Sequence, residues 1–195
     1  MKKQIRGWVL LALGFGVAVW MASCLAYAQQ PLPSGTYYSP ETNLETQDAA
    51  ALGSAHKTIG LAAFSLTDEA IVKVLADRAA HGVEVFIYLD RGELQAECRG
   101  DVTCARIPLH ALIGLKNVQI RVKQSKVLMH LKSYCVDSGL VRDGSANFSE
   151  QGEARQDNSA TFTAGAGGTK AFVAKFAAMW ARPDNLTVAQ AVAGP

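Results

Sequence analysis

Between residues 58 and 89 the hydrophobic pattern changes period twice. Thr58-Ile-Gly-Leu-Ala-Ala-Phe64 is a short apolar run between polar flanks, the pattern of a buried strand. Thr67 then offers an N-cap, Asp68 and Glu69 supply an acidic first turn, and Ile71, Val74, Leu75 and Ala79 recur on one helical face before Gly82 ends it. Val83-Glu-Val-Phe-Ile-Tyr-Leu89 returns to a strand. Strand, helix and strand at this spacing form a βαβ unit, and its right-handed crossover implies parallel pairing.

Around that unit, Thr42 to His56 is helix-like, Ala105 to Leu115 reads as a helix, and Val118-Gln-Ile-Arg-Val122 alternates as a strand. A longer strand is expected over Val127 to Val136, with Ser138-Gly139 turning into a return strand at Leu140 to Arg142. A strand at Asn158 to Thr163 and an amphipathic helix at Lys170 to Ala181 close the pattern, with Trp180 as a core anchor. Gly165-Ala-Gly167-Gly168 lacks the Gly-Lys-Ser/Thr ending of a phosphate loop and reads as a flexible turn. The expected fold class is α/β: one domain with a mixed, largely parallel β-sheet flanked by helices on both faces. A chain of 195 residues, 49% apolar and 18% charged, has enough material for one such core.

The first thirty residues have another character. Lys2, Lys3 and Arg6 precede an uncharged stretch from Gly7 to Gln30, and Ala26-Tyr27-Ala28 before Gln29 suits signal peptidase. The expected division is a signal peptide over 1–28, a Pro- and Gly-containing linker over 29–40, the folded domain over 41–182 and a tail over 183–195. The product would be periplasmic or secreted. The same stretch could instead span a bilayer as an uncleaved anchor, and Met21-Ala-Ser-Cys24 resembles a lipobox that would place a lipid on Cys24. Export brings thiols into an oxidising environment. Cys98 and Cys104, flanking the polar Arg99-Gly-Asp-Val-Thr103, are therefore expected to form a local disulfide, with Cys135 a buried thiol. No second Cys/His pair stands at zinc-ligand spacing, so no metal and no cofactor is expected.

The chemistry concentrates in His130-Leu-Lys132-Ser-Tyr-Cys-Val-Asp137 and, after six residues, Gly144-Ser145-Ala-Asn147. In a strand, period two places His130 and Lys132 on one face, and the return strand brings Gly144, Ser145 and Asn147 beside them. An imidazole nucleophile, an ammonium that offsets phosphoryl charge, and hydroxyl and amide donors suit attack on a phosphodiester. Gly144 would let the backbone approach the ligand. Metal-free phosphoryl transfer is favoured, because no carboxylate cluster has two-metal spacing. Either motif alone arises readily by chance; the two together do not. His56, His81 and His110 lack partners and are assigned no role.

These residues resemble the phospholipase D superfamily, in particular its short bacterial endonuclease branch, in which each chain carries one His-Lys-Asp motif. The resemblance takes in Tyr38-Ser-Pro-Glu41, Ala63-Phe-Ser65, His81-Gly-Val-Glu-Val85 and the motif region through Phe148-Ser149. It implies that His130 forms a phosphohistidine, that Lys132, Ser145 and Asn147 hold the phosphate, and that Asp137 orients the motif. It also implies a homodimer, since the mechanism needs two histidines and each chain supplies one. One departure stands out: where the family has Asn-x-Glu-Asn, this chain reads Gln156-Asp157-Asn158-Ser159. Asn158 and Asp157 are the candidates to orient the imidazole, and a neutral Asn158 would not raise its basicity as a carboxylate does. A bulge that brings Asp157 in, a weakened activity and a binding role are the alternatives.

Charge fits a polyanion locally rather than globally. The whole chain sums to +2, and without residues 1–28 it holds 16 basic against 17 acidic residues. Yet Lys116 to Val136 contains Lys116, Arg121, Lys123, Lys126 and Lys132 and no acid. Arg121 and Lys123 are the expected phosphate-backbone contacts, salt-sensitive and sequence-nonspecific, with a solvated edge strand as the alternative. The expected function is an exported, metal-independent endonuclease, with a phospholipid hydrolase or a nucleic-acid or membrane-surface binding protein as alternatives.

Overall fold

Seven strands form one mixed sheet in the computed structural model, which describes residues 32–194. The expected signal peptide, the cleavage site after Ala28, the lipobox cysteine Cys24 and the first linker residues lie outside the described residues. The strands are β1 (Gly35–Ser39), β2 (Thr58–Ala63), β3 (Glu84–Leu89), β4 (Val118–Val122), β5 (Lys132–Val136), β6 (Leu140–Gly144) and β7 (Asn158–Ala164), and they lie in the order β1-β7-β6-β5-β2-β3-β4. The βαβ unit is present as β2, helix α2 (Glu69–Ala80) and β3, paired in parallel, and β4 adds a second parallel neighbour. The other four pairings, β2–β5, β5–β6, β6–β7 and β7–β1, are antiparallel. The sheet is thus mixed as expected but not largely parallel. The turn between β5 and β6 is far too short for a crossover and can only join antiparallel neighbours.

Helices cover both faces. Ile59, Leu61, Val85 and Ile87 point into the larger core with Leu52 of α1 (Leu44–Gly53) and Ile71 and Leu75 of α2. On the opposite face Phe172, Phe176 and Trp180 of α5 (Ala166–Trp180) cover Ala62 and Tyr88. Residues 186–193 are packed rather than a free tail: Leu186 bridges to Val122, and Val188, Ala191 and Val192 of α6 (Val188–Ala193) are buried in the larger core. Likewise the end of the expected linker is strand β1, paired along its length with β7.

Several boundaries differ for local reasons. Asp68, not Thr67, caps α2, its Oδ1 accepting the Ile71 N–H at 3.0 Å. The region from 105 to 115 holds only a 3₁₀ turn at Pro108–Leu112, because Ile107 is extended before the proline. The hairpin turn is centred on Asp137 and Ser138, whose φ values of 50° and 54° are those of a two-residue turn with both central residues left-handed. Gly165 is the cap of α5 and residues 166–168 already belong to the helix. Cys98, at the end of α3 (Arg91–Cys98), is bonded to Cys104, and Cys135 is a free buried thiol that burial pushes up in pKa.

Candidate active site

The motif residues gather at one end of the sheet, where β2 ends, β5 begins, β6 ends and β7 begins. Antiparallel register sets Lys132 opposite Ala63, and the Phe64 N–H donates to the Leu131 carbonyl at 2.9 Å, which extends the alignment one residue past the strand. Phe64 thereby becomes a platform. Its ring meets the His130 imidazole edge-on at 4.7 Å between centroids, and the Lys132 ammonium lies 4.6 Å from its centre. Lys132 Nζ also donates to the His130 carbonyl at 2.9 Å.

His130 itself is not in the strand. Residues 127–130 form a loop because their backbone groups are taken by side chains: the Met129 N–H donates to Asp90 Oδ2 at 2.7 Å, and Lys123 Nζ donates to the carbonyls of Val127 and Leu128. Asp90 also caps α3 through the Glu93 N–H at 3.0 Å, so one carboxylate fixes both a helix start and the approach to His130. The imidazole is exposed, while Lys132 is only 4% exposed. Burial lowers the Lys132 pKa, Glu93 and Asp90 opposing the shift and Arg142 adding to it. Among the described residues this ammonium forms no ion pair, so a desolvated cation is left with donors to spare.

The other half arrives on β6. Ser145 Oγ donates to Asn158 Oδ1 at 2.9 Å and accepts the Ser159 N–H at 3.0 Å. Asn147 Oδ1 is buried and has no hydrogen-bond partner among the described residues. Gly144 is required by packing rather than by a ligand, since a Cβ there would stand 2.1 Å from the Ser159 carbonyl oxygen. The two halves are joined from beneath by Arg142. Its Nη1 donates to the Lys132 carbonyl at 2.6 Å and to the Ala146 carbonyl at 3.2 Å, locking the backbone of both motifs to one nitrogen.

Arg142 is fully buried in a polar cluster of its own. Its Nη2 lies 3.0 Å from Asp48 Oδ2 and 3.5 Å from Glu153 Oε1, and Tyr134 donates to Asp48 Oδ1 at 2.7 Å. One cation cannot offset two buried carboxylates. Burial and then Asp48 push Glu153 up to about 10, against the pull of Arg142, so at neutral pH it holds a proton and hydrogen-bonds to Asp48.

Not every expected site residue is here. Asp137 lies at the far end of β5 from Lys132, and its carboxylate accepts the N–H groups of His56, Lys57 and Thr58 at 2.7 to 2.8 Å. Burial raises its pKa, and those three donors more than reverse the shift, leaving it lowered. It tethers the start of β2 and stands at the opposite end of β5 from the His130 and Lys132 pair. Arg121 sits on edge strand β4, stacked 4.5 Å over Trp180 and bonded to the Trp180 carbonyl, and Lys123 is buried under the 127–128 loop. Lys123 is thereby withdrawn from solvent, and Arg121, half-buried, is held against Trp180 through one nitrogen. Asn158 serves Ser145, Asp157 is exposed, and neither hydrogen-bonds to His130. The residues that sequence reasoning missed are Phe64, Asp90 and Arg142. Asp90 carried a signal, the Asp-x-x-Glu spacing at a strand end that marks a helix start.

A carboxyl pair edges the site as well. Ser65 Oγ donates to Glu97 Oε1 at 2.5 Å, and burial raises Glu97 to about 7, with Ser65 opposing and Glu93 adding.

The family described as cardiolipin synthase, PLD-like domain, matches residues 49–180. Among solved structures the chain is similar to Nuc from Salmonella typhimurium, a phospholipase D family member, with a TM-score of 0.65 and 23% identity over 77% of this chain and 95% of that one. It is similar to NucT from Helicobacter pylori, with a TM-score of 0.65 and 17% identity over 74% and 93%. TrmBL2, an archaeal chromatin protein with a novel mode of DNA binding, shares 15% identity at a TM-score of 0.51 over 87% of this chain and 61% of its own. No curated protein matches the chain. The family match spans the platform at Phe64, the His130 and Lys132 pair and the segment from Ser145 to Asn158 with its helix α4 (Glu150–Ala154), and the chain belongs to the phospholipase D-like family of phosphodiesterases.

Proposed function

We propose that this protein is an exported endonuclease that cleaves nucleic-acid phosphodiesters without a metal, through a phosphohistidine at His130. The carrying observation is the exposed His130 ring held on Phe64 beside a buried, unpaired Lys132 ammonium. His130 attacks phosphorus, a P–N bond forms, and the P–O bond to the sugar oxygen of the departing strand breaks. A second imidazolium, His130 of the partner subunit in a two-fold homodimer, gives the leaving oxygen its proton. Now neutral, that imidazole removes a proton from water; the hydroxide attacks phosphorus, the P–N bond breaks and His130 is regenerated. Lys132, Ser145 and Asn147 would hold the non-bridging oxygens and stabilise the charge that builds on them.

The test is plasmid DNA incubated with the protein in EDTA. Cleavage that survives EDTA and disappears in His130→Ala supports the reading; cleavage that needs added metal, or that persists in His130→Ala, overturns it. A second reading has a specific observation behind it. Val127 and Leu128, 72% and 59% exposed, stand on the loop leading to His130 and would suit an apolar approach by phospholipid. Turnover of phosphatidylcholine vesicles with no DNA cleavage would establish that reading instead.

A further inference from the structure

Beside Ser145 the molecule opens into a groove of about 670 Å³ that the mechanism above does not use. It continues directly from the phosphate-holding residues, since Ser145 and Asn158 form part of its wall. Tyr38 forms another part. On edge strand β1 it lies in register with Ser159, which exchanges hydrogen bonds with Ser145 in both directions: the Ser145 N–H donates to the Ser159 carbonyl at 3.0 Å and the Ser159 N–H to Ser145 Oγ at 3.0 Å. The Tyr38 ring therefore stands on the strand two places from β6, joined through β7 to the hydroxyl assigned to the phosphate.

Tyr38 differs from the tyrosine beside it. Tyr37 packs edge-on against Phe162 at 5.8 Å and faces the core. Tyr38 is 61% exposed, with no aromatic neighbour and no hydrogen bond to its hydroxyl among the described residues. A ring left open beside a reaction centre is a stacking surface. Charge narrows what can occupy it: no Lys or Arg lines the groove, whereas Glu41 and Asp157 do. A second phosphate would be repelled, but a flat neutral ring that offers N–H donors would be accepted, its face on Tyr38 and its amino edge toward a carboxylate.

We infer that this groove is a nucleobase subsite, in which the base next to the scissile phosphate stacks on Tyr38. The inference rests on the nucleic-acid reading of the site. It is tested by steady-state cleavage of two substrates, a single-stranded DNA oligonucleotide and an oligonucleotide of the same length built from abasic sugar phosphates, by the full protein and by Tyr38→Ala and Tyr38→Phe. The expected result is a KM for the base-bearing strand raised about tenfold in Tyr38→Ala with kcat changed less than twofold. The abasic strand should show no comparable rise, and Tyr38→Phe should restore the KM. Equal effects on both strands, or no effect of Tyr38→Ala on a DNA strand the protein does cleave, would overturn the subsite and leave the nuclease reading standing. A wild-type protein that turns over phosphatidylcholine vesicles and no DNA would overturn both, and a Tyr38→Ala loss confined to those vesicles would reassign the groove to a lipid ammonium headgroup.

Discussion

Two polar clusters share this end of the sheet, with Arg142 and its carboxylate partners below and His130, Lys132, Ser145 and Asn147 above. Both contain buried charge, and their outcomes are opposite. In the lower cluster Arg142, Asp48, Glu153 and Tyr134 pair with one another and a retained proton on Glu153 brings the sum to neutrality, although Arg142 Nε has no hydrogen-bond partner among the described residues. In the upper one, among the described residues, the Lys132 ammonium lacks an anion and Asn147 Oδ1 lacks a donor, so hydrogen-bonding capacity is unspent. Buried charge that is paired within the fold makes a fixed structure, whereas a buried cation left without an anion makes a site that an anionic ligand completes. Arg142 couples the two by holding the Lys132 and Ala146 carbonyls with the side chain whose other nitrogen faces Asp48 and Glu153.

The division can be broken from above first. His130→Ala should cut phosphodiesterase activity by roughly 10³-fold or more while leaving the melting temperature nearly unchanged, because an exposed ring resting on Phe64 contributes little to folding. Calorimetry beside the plasmid assay checks this, and a large loss of stability would place His130 among the structural residues. From below, Arg142→Met should cost about 3–5 kcal/mol in urea unfolding, since it strands a buried carboxylate. It should lower activity as well, even at temperatures where the variant stays folded, because the two backbone halves lose their common anchor. Full activity in a folded Arg142→Met protein would show the clusters to be independent.

A finer test uses pH. Glu153 is raised in the fold from an ordinary 4.5 to about 10, so the folded state binds its proton more tightly than the unfolded chain. The stability it contributes is complete below about 4.5 and is lost as pH rises toward about 10. Between pH 5 and 9 the melting temperature of the wild type should therefore fall relative to that of Glu153→Gln, which carries no titrating proton. Parallel curves would mean that the lower cluster is not held together by that proton. The smallest effect is expected at Asn158→Ala, which removes the Ser145 acceptor: a loss of about 1 kcal/mol, read as a severalfold drop in kcat/KM. No change would take Asn158 out of the site.

Much of the upper cluster was legible in the chain. His130, Lys132, Ser145 and Asn147 announce themselves by residue type and spacing, because the strands that carry them are neighbours in sequence and a short turn must bring them back together. The disulfide was legible for the same reason, Cys98 and Cys104 being six residues apart. What failed were inferences that needed to know where a side chain points. Arg121 and Lys123 are basic in a basic stretch, yet one stacks on Trp180 and the other is buried beneath a loop. Asp137 completes a motif and instead ties down β2 from the opposite end of its strand. Arg142, in the middle of β6, carries no local signal, because its partners Asp48 and Glu153 lie 94 residues before and 11 residues after it.

By itself, then, the sequence determined the βαβ unit, the hairpin return and the chemical identity of the groups that meet at its end. All of these rest on periodicity and short-range turn geometry, which act within a few residues. Tertiary structure alone decided which charges are spent and which remain free, because desolvation and pairing depend on every element packed around a group. It put Phe64 under His130 and Lys132, left Tyr38 open while burying one face of Tyr37, and used Arg142 to hold the two halves of the site in register.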